Sequence, residues 1–335
     1  MTWPIENIIR ILSMEPNSNS GRKKNTSGAN NNNNNLKQGL GAELIVRHLR
    51  LITYLTITYL AYQYTWPIEE AKEWKLRWIL IVLFRNLFIE FLLYGGWHCF
   101  LYESGCIKGR IEDKKFNPEN QYNDGGKNIS REVIFTTLGF FMSSAFECVI
   151  LHLWSAKSSY IVPFYDNFWG NNNLKWSAYS IFHVFIVAYW RDGHFYFVHR
   201  LMHKWNFKIF GVDIGYFLYK HVHSLHHKSK NPGPWSGLSM HPIEHLFYYS
   251  CTLTVLLFPL HPYHFLYTKF HADISPIAGH DGYDKPAGGS AFHYLHHSLV
   301  DCNYGTPLVP LDYVFGTLKS DESHNNSTNK KHKKK

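Results

Sequence analysis

Residues 291–298 read AFHYLHHS, and residues 221–228, seventy positions earlier, read HVHSLHHK. Both carry the pattern His-x-x-His-His, as His293, His296 and His297 and as His223, His226 and His227. A third, looser box, HRLMH, adds His199 and His203. Neutral imidazole is the commonest metal ligand in proteins, and side chains at i, i+3 and i+4 share one face of a helix. Each box can therefore present two or three ring nitrogens to a common point. Eight imidazoles exceed the four or so ligands of one zinc and suit a pair of ions with open positions for dioxygen. The spacing predicts a two-metal centre built from helical segments.

Outward from the boxes the chain is apolar in long runs, at roughly 49–66, 76–101, 132–154 and 176–190. Each approaches the ~20 residues that cross a bilayer as a helix, and Trp and Tyr gather toward their ends, as in membrane interfaces. The mean hydropathy of -0.26 hides this, because an asparagine tract, 22 histidines and a lysine tail lower the average. A further apolar run, EHLFYYSCTLTVLLFPLHPYHFLY, is interrupted at Pro259 and Pro262 and separates the second and third boxes. If both boxes meet in one site, this run must leave and return on the same side. The expected fold is all-α: an integral membrane bundle of about four spans plus a re-entrant helical hairpin, with a cytosolic histidine-rich helical cap holding the metals.

Charge gives the orientation. With the amino terminus in the cytosol, Arg22, Lys23, Lys24, Arg47 and Arg50 lie inside, as do Lys108, Arg110, Lys114, Lys115, Lys127 and Arg131. The opposite loops hold only Lys72 and Lys75, and Lys157 and Lys175, so the positive-inside rule selects this arrangement and places both termini in the cytosol. Arg85, Glu90 and Glu147 fall within the apolar runs and are expected to face the bundle interior. Of the net charge of +9, Lys330, Lys331, Lys333, Lys334 and Lys335 supply five. No basic face with interleaved aromatics is left, which excludes a nucleic-acid partner. Lys331 and Lys333 fit a dilysine signal that retrieves membrane proteins to the endoplasmic reticulum. Cys99, Cys106, Cys148, Cys251 and Cys302 form no Cys-x-x-Cys pair, which points to a reducing setting without disulfides. ENIIRILSM carries Arg10 in its apolar portion and does not read as a cleavable signal peptide.

Four regions follow: an Asn-rich stretch over 1–43 too polar to fold, spans and a cytosolic loop over 44–131, a catalytic domain over 132–318, and a Lys-rich tail over 319–335. No His-Pro-Gly-Gly haem motif, glycine-rich dinucleotide fingerprint or flavin pattern occurs, so electrons for redox chemistry are expected from external carriers.

The segment from about 132 to 318 resembles the fatty acid hydroxylase superfamily, which includes sterol desaturases, methylsterol monooxygenases and sphingoid-base hydroxylases. The resemblance rests on HRLMH, HVHSLHH, MHPIEH, GHDGYDKP, HYLHH and NYGTPLVPLDYVFGT. It implies an endoplasmic-reticulum membrane enzyme with two non-haem irons, oxidising a C–H bond of a lipid with dioxygen. Electrons would come from NAD(P)H through a membrane haem cytochrome and its reductase. By the same resemblance the eight box histidines are metal ligands, His280 is a ninth, and His241 is a ligand or a supporting residue. Leu311 stands where relatives often place Trp. A sterol is the expected lipid, with a sphingoid-base or fatty-acyl hydroxylase as the alternative. A membrane protein that binds metal without catalysis is the alternative of another class.

Overall fold

The structure is a computed structural model that describes residues 48–65, 67–106, 115–117, 119–156, 178–205, 208–258, 261–283 and 289–319. Among these residues every regular element is helical, and extended pairing is confined to three isolated bridges. The Asn-rich region, Pro259, and the tail with Lys331 and Lys333 lie outside the described residues.

Besides the short Gly96–His98 turn, ten α-helices of the described residues set out the bundle. They are α1 (48–65), α2 (Leu76–Glu90), α3 (Lys127–Ser155), α4 (Ala178–Leu201), α5 (Ile214–His221), α6 (Pro242–Tyr249), α7 (Pro262–Ile274), α8 (Pro276–His280), α9 (Gly289–Leu299) and α10 (Leu311–Val314). The chain after α2 stays helical to Glu103, with π turns at Phe91–Gly95 and Cys99–Glu103. Among the described residues α3 is the helix that is long and apolar enough to cross a membrane. Large apolar side chains also stand exposed elsewhere, among them Phe84 and Phe88 on α2, Leu92 just past it, and Phe182 and Phe185 on α4.

Local sequence explains where the helices that frame the site begin. Asp213 accepts the Tyr216 amide at 2.9 Å and caps α5. His261 caps α7, and its Pro262 occupies the first turn, where a missing amide hydrogen costs nothing. The proline that interrupts the apolar run therefore starts a helix. α3 packs against α2, α6 and the 3-10 turn Pro234–Leu238, and α7 packs against α3 and α4. The contact of α3 with α6 requires glycine: a Cβ at Gly139 would lie 2.4 Å from His245 Cε1. Tyr94, Phe140, Tyr249, Leu266 and Phe270 fill the core between these helices.

The charged residues of the apolar runs do turn inward. Arg85 pairs with Glu147, which also accepts from Asn86 Nδ2 at 3.0 Å. Lys269 Nζ lies 3.7 Å from Glu147 and donates to Asp273 at 2.7 Å. Glu90 is equally buried, but neither of its carboxylate oxygens has a hydrogen-bond partner. Cys148, Cys251 and Cys302 are buried as small apolar residues, whereas Cys99 and Cys106 are exposed.

Candidate metal centre

The three boxes adopt three different local structures. His199 ends α4 and His203 sits in the turn just past it. His223, His226 and His227 belong to a 3-10 helix, His223–Lys228, where an α-helix was expected. His293, His296 and His297 lie on α9, and His280 closes α8. These elements bring nine imidazoles together as two groups. His199, His203, His223, His227 and His296 form one, and His226, His280, His293 and His297 form the other. Within each group the candidate ligand atoms lie within 4.8 Å of one another, and all nine residues are buried.

The hydrogen bonds fix how several rings point. His199 Nδ1 donates to the Tyr304 carbonyl at 2.6 Å, and His296 Nδ1 donates to the Cys302 carbonyl at 2.6 Å. His280 Nδ1 donates to the Pro276 carbonyl at 3.0 Å. A carbonyl can only accept, so each of these neutral rings carries its proton on Nδ1 and leaves Nε2 bare. The Nε2 atoms then face inward: His199 to His223 at 2.9 Å, His223 to His227 at 3.1 Å, His227 to His296 at 3.0 Å, and His280 to His226 at 3.3 Å. Such lone pairs repel unless a proton or a cation lies among them.

Protons are a poor solution here. Burial, reinforced by neighbouring imidazoles, holds His199, His223, His226, His293, His296 and His297 well below the ordinary imidazole value of 6.5. Burial likewise takes His227 to about 3 and His280 to about 4. Both ring nitrogens of His203 and His297, and Nε2 of His293, are buried without a hydrogen-bond partner, His203 Nδ1 having only Asp301 Oδ1 at 3.9 Å. Unpaired buried polar atoms in this number are costly, and a cation in each group would take up one nitrogen of each ring. The residues present therefore fit a pair of metal ions.

Two supports were not singled out in the sequence. Glu244, inside the quoted MHPIEH, is buried and places Oε1 2.7 Å from His223 Nδ1. A carboxylate behind a ligating histidine fixes its tautomer and raises its basicity. The second support is the stretch Cys302–Gly305, whose carbonyls hold rings from two boxes. Asp312 in turn anchors this stretch, accepting the Tyr304 amide at 2.8 Å and the Gly305 amide at 2.7 Å. It also accepts from Thr317 Oγ1 at 2.6 Å, and Asn303 bonds Lys319 in both directions, at 3.0 and 2.8 Å. The glutamate was discoverable as the acid three positions after His241 in MHPIEH; the carbonyls carry no side-chain signal.

His241 belongs to neither group. Its Nδ1 accepts the Ile243 amide at 3.2 Å and caps α6. Three more histidines have ordinary surroundings: His194 bonds Ser250 at 2.9 Å, His183 packs on His264, and His245 packs over Gly139.

A cavity of about 560 Å³ opens beside the centre. His199, His223, His226, His280 and His293 form part of its wall, and Leu51, Val184, Phe185, Met240 and Tyr267 supply apolar wall. Both ligand groups thus reach one largely apolar space.

Among the described residues, then, an all-helical bundle holds buried, clustered imidazoles beside an apolar cavity. The fatty acid hydroxylase profile matches residues 184–317, and over that segment the chain is similar to the fatty acid hydroxylase superfamily. Rat lathosterol oxidase is 24% identical over 282 residues, 81% of this chain and 84% of that protein. Methylsterol monooxygenase 2-2 of Arabidopsis thaliana is 28% identical over 248 residues, 68% of this chain and 81% of that protein. A putative Delta(7)-sterol-C5(6)-desaturase 2 of the same plant is 30% identical, but the match spans only 41% of this chain and 48% of that protein. All three are oxidoreductases of the family. No solved structure matches the chain.

Proposed function

We propose that the protein is a membrane-bound non-haem di-iron lipid oxidase, which uses dioxygen and electrons to hydroxylate or desaturate a C–H bond of a sterol. The observation that carries this reading is the opening of both histidine groups onto one apolar cavity. Bound iron would supply oxidising power toward an unactivated C–H bond, which side-chain acids and bases lack. His199, His203, His223, His227 and His296 would hold one ion, and His226, His280, His293 and His297 the other. Glu244 and the carbonyls of Cys302, Tyr304 and Pro276 orient the rings, while the buried walls exclude water and align the lipid. The sterol enzymes among the relatives favour a sterol over a sphingolipid.

The same reading places the chain in the endoplasmic reticulum membrane with four spans, a re-entrant hairpin over 244–267 and both termini in the cytosol. Lys331 and Lys333 would act in retrieval, and a membrane haem cytochrome with its NAD(P)H-dependent reductase would deliver electrons. Protein purified in detergent should hold about two irons per chain, in line with the two ligand groups. His226→Ala or His296→Ala should lose metal and activity while the chain still inserts. Metal-free active protein, or full activity of the His296→Ala variant, sinks the di-iron reading. Sterol and sphingolipid profiles of cells with and without the gene test the substrate: an unchanged sterol profile with altered sphingolipids overturns the sterol assignment.

A further inference from the structure

The cavity carries polar chemistry that the histidine centre does not use. Arg191, Asp192, Tyr248, His271, Ser275 and Thr306 all line it. Arg191 precedes His199 on α4 by eight positions, about 12 Å along the axis at ~1.5 Å per residue. Arg191 therefore sits about two helical turns from His199 of the first ligand group.

Its charge is internally balanced. The Arg191 guanidinium pairs with the Asp192 carboxylate and donates from Nη1 to Tyr248 Oη at 3.3 Å. Asp192 Oδ2 accepts from Thr306 Oγ1 at 2.5 Å. Three polar atoms remain buried without a partner: Arg191 Nε, His271 Nδ1 and Ser275 Oγ. Arg191 Nε can only donate, whereas an imidazole nitrogen or a hydroxyl can serve either way. One hydroxyl on a ligand, which both accepts and donates, could satisfy two of them at once.

We infer that Arg191, His271 and Ser275 form the seat for the uncharged hydroxyl at the polar end of a sterol-like substrate. The inference rests on the lipid-oxidase reading and narrows it. A carboxylate would add uncompensated negative charge beside an arginine already paired with Asp192. A protonated amine would set a second positive charge against Arg191. Either would bury an unpaired charge, which costs far more than burying a hydrogen-bonded hydroxyl. Free fatty acids and sphingoid bases are therefore selected against by this end of the cavity.

The test is displacement of a fluorescent sterol from metal-loaded protein in detergent. The competitors are a 3-hydroxysterol, its 3-deoxy counterpart, a free fatty acid and sphinganine. The hydroxysterol should compete about tenfold better than the deoxysterol, as expected where a site's polar groups are left unpaired. His271→Leu should narrow that gap to about twofold and His271→Gln should restore most of it, with metal content verifying the folded centre. Equal competition by the two sterols in the wild type overturns the inference without recourse to any variant. So does an undiminished gap in metal-replete His271→Leu, or stronger competition by the fatty acid or sphinganine. A protein that prefers hydroxysterol but oxidises no lipid refutes the oxidase reading and leaves the hydroxyl seat standing. One that oxidises a lipid while ignoring the hydroxyl refutes the seat alone.

Discussion

Replacing Glu244 isolates what a residue that touches no metal contributes to the centre. Its Oε1 lies 2.7 Å from His223 Nδ1, and both side chains are buried, at 3% and 1% exposure. His223 Nε2 sits between His199 and His227, at 2.9 and 3.1 Å. Glu244→Ala frees the ring to rotate and to exchange tautomers, so the bare nitrogen no longer points at the group by default. Loss of such a supporting partner costs about 10–100-fold in metal affinity, or ~1.4–2.8 kcal/mol. Glu244→Gln keeps an acceptor but not the charge and should fall near the lower figure. Competition against a chelator of known affinity, with iron counted per chain, measures both variants. The loss should fall on one ion, because His226, His280, His293 and His297 form the other group. Two ions held with unchanged affinity would refute the role of Glu244, and equal loss of both would show that the substitution disrupts the whole cap.

Three further outcomes are expected. His241→Ala should leave iron content intact and cost about 1 kcal/mol or less by removing a helix cap, measured by thermal unfolding, whereas His280→Ala should lower iron content. Acidification should release metal well below pH 6.5, because burial lowers the ring pKa values, to about 4 for His280 and about 3 for His227; half-release at pH 6.5 would contradict this. In the same window the metal-free fold should lose stability as pH falls below 6.5, since the unfolded chain takes up protons that the buried rings refuse. Arg85→Met should destabilise by about 3–5 kcal/mol by stranding Glu147 in the interior, and Arg85→Met with Glu147→Leu should recover part of the loss; a single variant as stable as wild type would show that Lys269 alone compensates Glu147.

The sequence displayed the histidines because their chemistry depends on side-chain type and their spacing is local. The structure gathers the nine in two groups, and Arg85 and Glu147 turn toward each other as buried charges must. The helical form of the second box was not legible, because His-x-x-His-His suits a 3-10 turn as well as an α-turn. His241 was ambiguous for a related reason: an imidazole before a proline can bind metal or cap a helix, and only tertiary position decides. The carbonyls that orient His199 and His296 could not be read at all, since every residue has one. The membrane arrangement was read from run length, yet one helix among the described residues meets the criterion for crossing.

The stretch from Cys302 to Gly305 gives the centre an order of assembly. Its carbonyls hold His199 and His296, and it is itself held by Asp312, Thr317 and Lys319. During synthesis all nine histidines leave the ribosome before the residues that lock this stretch in place. A nascent chain can gather the rings but cannot fix the tautomers of His199 and His296 until Lys319 has emerged. Any metal would then be held at full affinity only after Lys319 has emerged, and chains arrested earlier would offer only a loose, exchangeable cluster.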